Sequence, residues 1–223
     1  MIQIKQAVAE HARREASYRT RRGLEGRARS QQSTGGRAYG YIAARDSASG
    51  KREIHAEQAD IVRNIFEWYA SGRAPRWIAS ELNRLGVPSP GSSRRRTSDR
   101  LNATRRKGWV ASAIHGDRKR GTRILNNPLY NGVVLWGRSA WKRSAVDSKR
   151  RRCTMQNDRD QRVQYQDEAL RVVPAGLCER VQARQRAVER ASTAIRNALH
   201  RNARTGGCDN PIRDPRPSPS LAS

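Results

Sequence analysis

Phenylalanine occurs once, at Phe66, and aromatic residues together make up 5% of the chain. With 35% hydrophobic residues over 223 positions, apolar side chains are too few to fill a single core of that length. A modest folded centre with polar extensions is expected. Apolar runs are short as well. None approaches the ~20 residues that cross a bilayer, and the opening "MIQIKQAVAEHARREAS" lacks the apolar stretch of a secretory signal. No membrane partner is expected. The three cysteines, Cys153, Cys178 and Cys208, are far apart and form no C-x-x-C pair, so neither a disulfide framework nor a zinc site is supported. The expectation is a cytoplasmic chain with reduced thiols. Acidic residues are also scarce: 20 Asp and Glu face 46 Lys and Arg, a net charge of +26. A charge this large repels itself and is tolerated mainly when the partner is a polyanion.

Familiar catalytic patterns are missing too. The chain has neither G-x-G-x-x-G nor G-x-x-x-x-G-K-[ST], so a dinucleotide or nucleoside-triphosphate loop is not expected. His11, His55, His115 and His200 have no histidine or cysteine partner at ligand spacing. No serine stands in a recognisable nucleophile setting, and no pair of carboxylates stands out. Accordingly no catalytic residue, metal, cofactor or small-molecule substrate is assigned.

What is present is arginine, and it is organised. Residues 1–29 are rich in Ala, Glu, Gln and Arg, and read as a helix with a narrow apolar stripe at Ile4, Val8 and Ala12. Arg21 and Arg22 lie near its C-terminal end, where cations suit the helix dipole. "RRGLEGRARSQQSTGGRAYGY" (21–41) follows with five glycines and five arginines. This stretch, with 30–37 as its linker part, reads as a thin tether whose Arg27, Arg29 and Arg37 match a narrow minor groove, the alternative being a plain solvated tether. Two short extended runs around "DSASG" predict a hairpin. "AEQADIVRNIFEWYASG" predicts an amphipathic helix closed by Gly72, with Trp68 counted in its core. "APRWIASELNRLGV" predicts another, started by Pro75 and ended by Gly86, with Trp77, Ile78, Leu82 and Leu85 facing inward. A third helix is expected near Val110–Arg118, and a strand or hairpin in "VVLWGRSAWKRS". "LRVVPAGLCERVQARQRAVERASTAIRNAL" predicts a strand and a long helix, and the Pro/Ser-rich text beyond Asn202 is expected to be disordered.

Three short helices with a tight turn between two of them suggest a helix-turn-helix arrangement, weak evidence alone. Basic clusters beside the third helix add weight: Arg94, Arg95, Arg96, Arg105, Arg106 and Lys107 before it, Arg118, Lys119, Arg120 and Arg123 after it. The two basic inserts of low hydrophobicity, 92–108 and 149–162, read as mobile loops. The fold class expected is α+β: a mostly helical domain with a helix-turn-helix-like core and short β-hairpins, an N-terminal helix tail and a disordered C-terminus.

In "RRGLEGRARS..STGGRAYGY", "EQADIVRNIFEWYASG", "IASELNRLGVPSP", "ILNNPLYNGVVLWGR" and "LRVVPAGLCERVQAR", the chain resembles large serine recombinases, from about residue 11 to residue 190 and in that family's order. The resemblance implies that residues 1–29 match the tail of the long helix ending the catalytic domain. It makes 30–37 the linker, 38–150 the DNA-binding recombinase domain, 151–202 a basic loop, strand and C-terminal helix, and 203–223 a tail. The family's nucleophilic serine, in a Tyr-x-Arg-x-Ser pattern, has no counterpart here; "YRTRRG" (18–23) lacks the serine. The paired cysteines of its zinc ribbon are likewise unmatched, since Cys208 stands alone. An internal fragment without cleavage activity of its own is expected, binding double-stranded DNA near the nucleoid, with a full-length recombinase as a second candidate partner. The alternatives are a mobile-element remnant that binds any polyanion, or an RNA-binding protein.

Overall fold

A computed structural model describes residues 2–44, 46–47, 51–90, 108–143 and 152–205. The elements run α1 (Ile2–Arg29), β1 (Tyr41–Ile42), β2 (Glu53–Ile54), α2 (Ala56–Ala70), α3 (Pro75–Arg84), α4 (Ala111–His115), β3 (Asn131–Trp136), β4 (Ser139–Arg143), β5 (Arg152–Gln156), β6 (Val163–Arg171) and α5 (Ala175–Thr205). The architecture is α+β, as expected. The chain divides into two units, Met1–Val181 and Gln182–Ser223, with α5 running through the boundary. In the second unit the helix carries Val188, Ile195 and Leu199 exposed. Among the described residues, no helix is long and apolar enough to cross a membrane.

The core of the first unit is built where the apolar spacing predicts. Val62, Ile65, Phe66 and Tyr69 of α2 and Ile78 and Leu82 of α3 are buried together, and Trp109, Ile114, Leu129, Tyr130 and Val173 close the cluster. Both helices end in the same way. Beyond α2 the Arg73 N–H reaches the Trp68 carbonyl at 2.9 Å, and beyond α3 the Val87 N–H reaches Leu82 at 3.0 Å, with Gly72 and Gly86 in the left-handed conformation between. α1 closes by the same motif, the Gln32 N–H to the Arg27 carbonyl at 2.8 Å, but with Gln31 at φ 56° in the glycine position.

Some side chains depart from expectation. Leu85 lies at the C-terminal boundary of α3 and is exposed. Trp77 is 40% exposed, stacked edge-on against half-buried Trp68 with the Arg73 guanidinium 4.6 Å from its ring centre. A cation over an indole face keeps that ring comfortable at the surface.

The strands form three antiparallel pairs among the described residues. β1 pairs with β2, the hairpin read from the sequence, with Tyr41 opposite Ile54. β3 and β4 are neighbours in sequence but do not pair: β3 takes β6, with Val134 opposite Tyr165, and β4 takes β5, with Trp141 opposite Thr154. The expected mobile loop at 149–162 is therefore corrected over 152–156, which is a strand, and over Arg159–Gln161, a 3₁₀ turn. The insert 92–107, and the tail from 206 on, lie outside the described residues. α5 itself runs to Thr205, past Asn202.

The Tyr-Gly-Tyr at 39–41 is fastened to the core. The Tyr41 hydroxyl lies 2.9 Å from the Leu129 carbonyl and 2.8 Å from that of Leu170, sharing its one proton between them. Its ring stacks on Tyr130, whose own hydroxyl donates to the Tyr39 carbonyl at 2.9 Å. Tyr39 packs edge-on against Trp109 and donates to the Pro88 carbonyl at 3.3 Å. Burial pushes all three phenols up, Tyr39 to about 12, and lifts the Cys178 thiol to about 11. These acids hold their protons in the folded state and release them more easily unfolded. Their contribution is complete below the unfolded pKa values and is lost as pH rises from about 9 toward 12, by up to ~1.4 kcal/mol per pH unit for each group. An alkaline titration is expected to show cooperative loss of helical circular dichroism, with the buried tyrosines ionising only as the fold is lost.

Candidate nucleic-acid interface

The candidate cations begin in the N-terminal helix. α1 is exposed along nearly its whole length, because its sequence offers no apolar face wide enough to bury. Three glutamates pair with arginines one turn on: Glu10 with Arg14 at 2.8 Å, Glu15 with Arg19 at 2.6 Å and Glu25 with Arg29 at 2.8 Å. Such exposed i,i+4 pairs contribute about 0.3–0.5 kcal/mol each to the helix. Arg21 and Arg22 line a shallow groove on the helix with Tyr18, Glu25, Gly26 and Arg29. Arg27 is exposed in the last turn. Of the cations expected here, Arg29 is thus engaged by Glu25, while among the described residues no ion pair holds Arg21, Arg22 or Arg27.

The segment after α1 has no regular secondary structure, with Gly35 and Gly36 at φ 88° and 85°, and it is docked. Ala28 is buried, and the Tyr165 hydroxyl of β6 donates to the Gln31 carbonyl at 3.3 Å. Arg52 donates to the carbonyls of Gly35 at 3.1 Å and Gly36 at 3.4 Å. Arg37 makes an ion pair with Asp46 at 2.8 Å, both half exposed. The glycines thus present backbone carbonyls to the β1–β2 hairpin, and Arg37 turns toward it.

The third helix is much shorter than expected. α4 stops at His115, because Gly116 leaves the helical region with φ 58°. Arg118, Lys119, Arg120 and Arg123 are not helical; all four are exposed on the turn that follows. The basic insert before α4, with Arg94, Arg95, Arg96, Arg105, Arg106 and Lys107, lies outside the described residues, but its two roots are placed. The Asn83 side chain accepts from the Trp109 N–H at 2.6 Å and donates to the Trp109 carbonyl at 3.0 Å, and the Trp109 indole donates to Val87 at 3.0 Å. Both ends of the insert therefore start from the C-terminal end of α3. Asn83→Ala leaves a buried main-chain donor unmet and is expected to cost about 1–3 kcal/mol, read as a lower urea midpoint at unchanged m-value.

Some arginines that add to the charge serve the fold. Arg52, Arg63, Arg138 and Arg162 all donate to main-chain carbonyls, those of Arg63 and Arg162 being Val172 at 3.0 Å and Asn157 at 2.9 Å. Charge counting cannot separate these from surface cations, since only the carbonyls around them reveal the role. No group of three or more His, Cys, Asp or Glu positioned to hold a metal occurs among the described residues.

A family model described as Recombinase matches residues 56–187, more than half of the chain. The chain belongs to the Recombinase family. The match begins at α2 and covers the helical core, all four strands of the two later pairs and the start of α5. Its region is that of the recombinase domain of serine recombinases. This recombinase domain thereby belongs to DNA recombination, with DNA as the partner the family implies. No curated protein and no solved structure matches the chain.

Proposed function

We propose that the chain binds double-stranded DNA as the DNA-reading part of a site-specific serine recombinase, and that by itself it binds without cutting. The observation that carries the reading is the exposed arginine run of α1, Arg21, Arg22 and Arg27, leading directly into a glycine-arginine segment fastened to the recombinase domain. A helix followed by a thin glycine-bearing segment can lie along a duplex and set its cations on successive phosphates or in the minor groove. Arg37 then sits at the edge of the hairpin, and the 118–123 turn and the insert rooted at Asn83 and Trp109 supply further cations for the phosphates. The absence of a Tyr-x-Arg-x-Ser pattern within this sequence supports binding without cleavage.

Fluorescence anisotropy with a labelled duplex of about 30 base pairs tests this. With about 6–10 phosphates neutralised, affinity is expected to fall roughly 10³- to 10⁵-fold between 50 and 200 mM salt. Unlabelled duplex should compete better than structured RNA of equal charge. Equal competition by RNA would favour the RNA-binding alternative, and no binding at low salt would end the proposal.

A further inference from the structure

We propose that Arg138 is a positioning residue that holds the turn Asp117–Arg123 as a preformed phosphate-binding element. This rests on the DNA-binding reading above and deepens it. The turn is closed by its own groups: the Asp117 N–H donates to Thr122 Oγ1 at 3.1 Å, the Thr122 N–H to the Asp117 carbonyl at 3.1 Å, and the Arg120 N–H to Asp117 Oδ1 at 3.0 Å. Asp117 also lies 3.6 Å from the Arg120 guanidinium. Gly121 and Arg123 stand at φ 53° and 69°, a conformation that needs outside support at a non-glycine residue.

Arg138 supplies that support from the corner between β3 and β4. Its Nη1 donates to the carbonyl of Arg120 and to that of Gly121, the latter at 2.6 Å. The corner is itself fixed. The Asn157 N–H donates to the Arg138 carbonyl at 2.9 Å, the Asn157 amide to Gly137 at 2.6 Å, and Arg162 to the Asn157 carbonyl. Arg138 thus faces the main chain of the turn, while Arg118, Lys119 and Arg120 stand in solvent on the same few residues. The turn carries Arg118, Lys119, Arg120 and Arg123 against a single acid, Asp117, so it keeps a net positive charge that favours an anionic partner. Three consecutive cations on a tight turn diverge, so they suit neighbouring phosphates along a strand better than one base edge.

Two variants approach this arrangement from opposite sides. Arg138→Met removes the donor. Gly121→Ala keeps the net charge, but its Cβ would stand 2.6 Å from Arg138 Nη1 at a left-handed φ. Each is expected to lower affinity for a random-sequence duplex at 150 mM salt about tenfold, since three long side chains lose their preordering. In a background where Arg118, Lys119 and Arg120 are alanine, both losses should disappear. The same loss in that background would overturn the proposal, because Arg138 would then touch DNA itself or support the whole domain. No loss in the native background would overturn it as well. Should Arg138→Met fail to unfold cooperatively, Gly121→Ala carries the test alone. A native chain that does not bind duplex DNA removes the DNA-binding reading itself, whereas binding with additive effects removes this proposal only.

Discussion

Replacing Arg21, Arg22 and Arg27 together with alanine is expected to weaken duplex binding about 100-fold at 150 mM salt. It should also lower the salt slope by about 2.7, near 0.9 for each phosphate that is no longer neutralised. The helix should be unharmed, because alanine is the best helix former and these three arginines hold no ion pair among the described residues. Arg14→Ala with Arg19→Ala makes the control. Those side chains are paired with Glu10 and Glu15, so reaching DNA means giving up an existing partner. Their removal is expected to change the slope less. Anisotropy titrations at several salt concentrations separate the two outcomes, and an equal slope change per arginine removed in both variants would show that α1 is only a general source of charge.

The second large effect lies in the fold. Tyr41→Ala is expected to destabilise the chain by about 3–5 kcal/mol, the range found for removing a large buried aromatic group. Total stabilities of about 5–15 kcal/mol make that a sizeable fraction. The ring is 7% exposed, stacks on Tyr130 and reaches carbonyls 88 and 129 residues away in sequence. Tyr41→Phe keeps the ring and leaves both carbonyls short of a donor, at a cost of about 1–3 kcal/mol. Urea unfolding of the three proteins measures both. A Tyr41→Ala midpoint within a few tenths molar of the native one would mean that 39–41 is not fastened as described.

The parts of the fold most legible in the sequence are local. α2 and α3 follow from apolar spacing and their closing glycines, and the hairpin from two short runs about a polar loop. β5 is hidden because its alternation is only two apolar residues long, Cys153 and Met155, inside a basic insert, and Met155 is exposed; its partner is β4. α4 is shorter than its sequence suggests because Val110–Arg118 reads as helix until Gly116 takes a left-handed conformation. The Glu25–Arg29 pair sits at helical spacing and is within reach of the sequence, while Arg37–Asp46 depends on the hairpin's shape. Arg138 is invisible for a different reason: its partners are main-chain carbonyls, which the sequence does not mark.

The central claim is that this recombinase domain reads duplex DNA. Selection from a random duplex library at about 150 mM salt, with the enriched pool sequenced, tests it most directly. A defined motif is expected, recovered by the native chain and bound more weakly by the Arg21/Arg22/Arg27 triple variant. A pool that binds at low salt yet shows no enriched sequence would contradict the claim, leaving a basic chain with a recombinase fold that holds any polyanion.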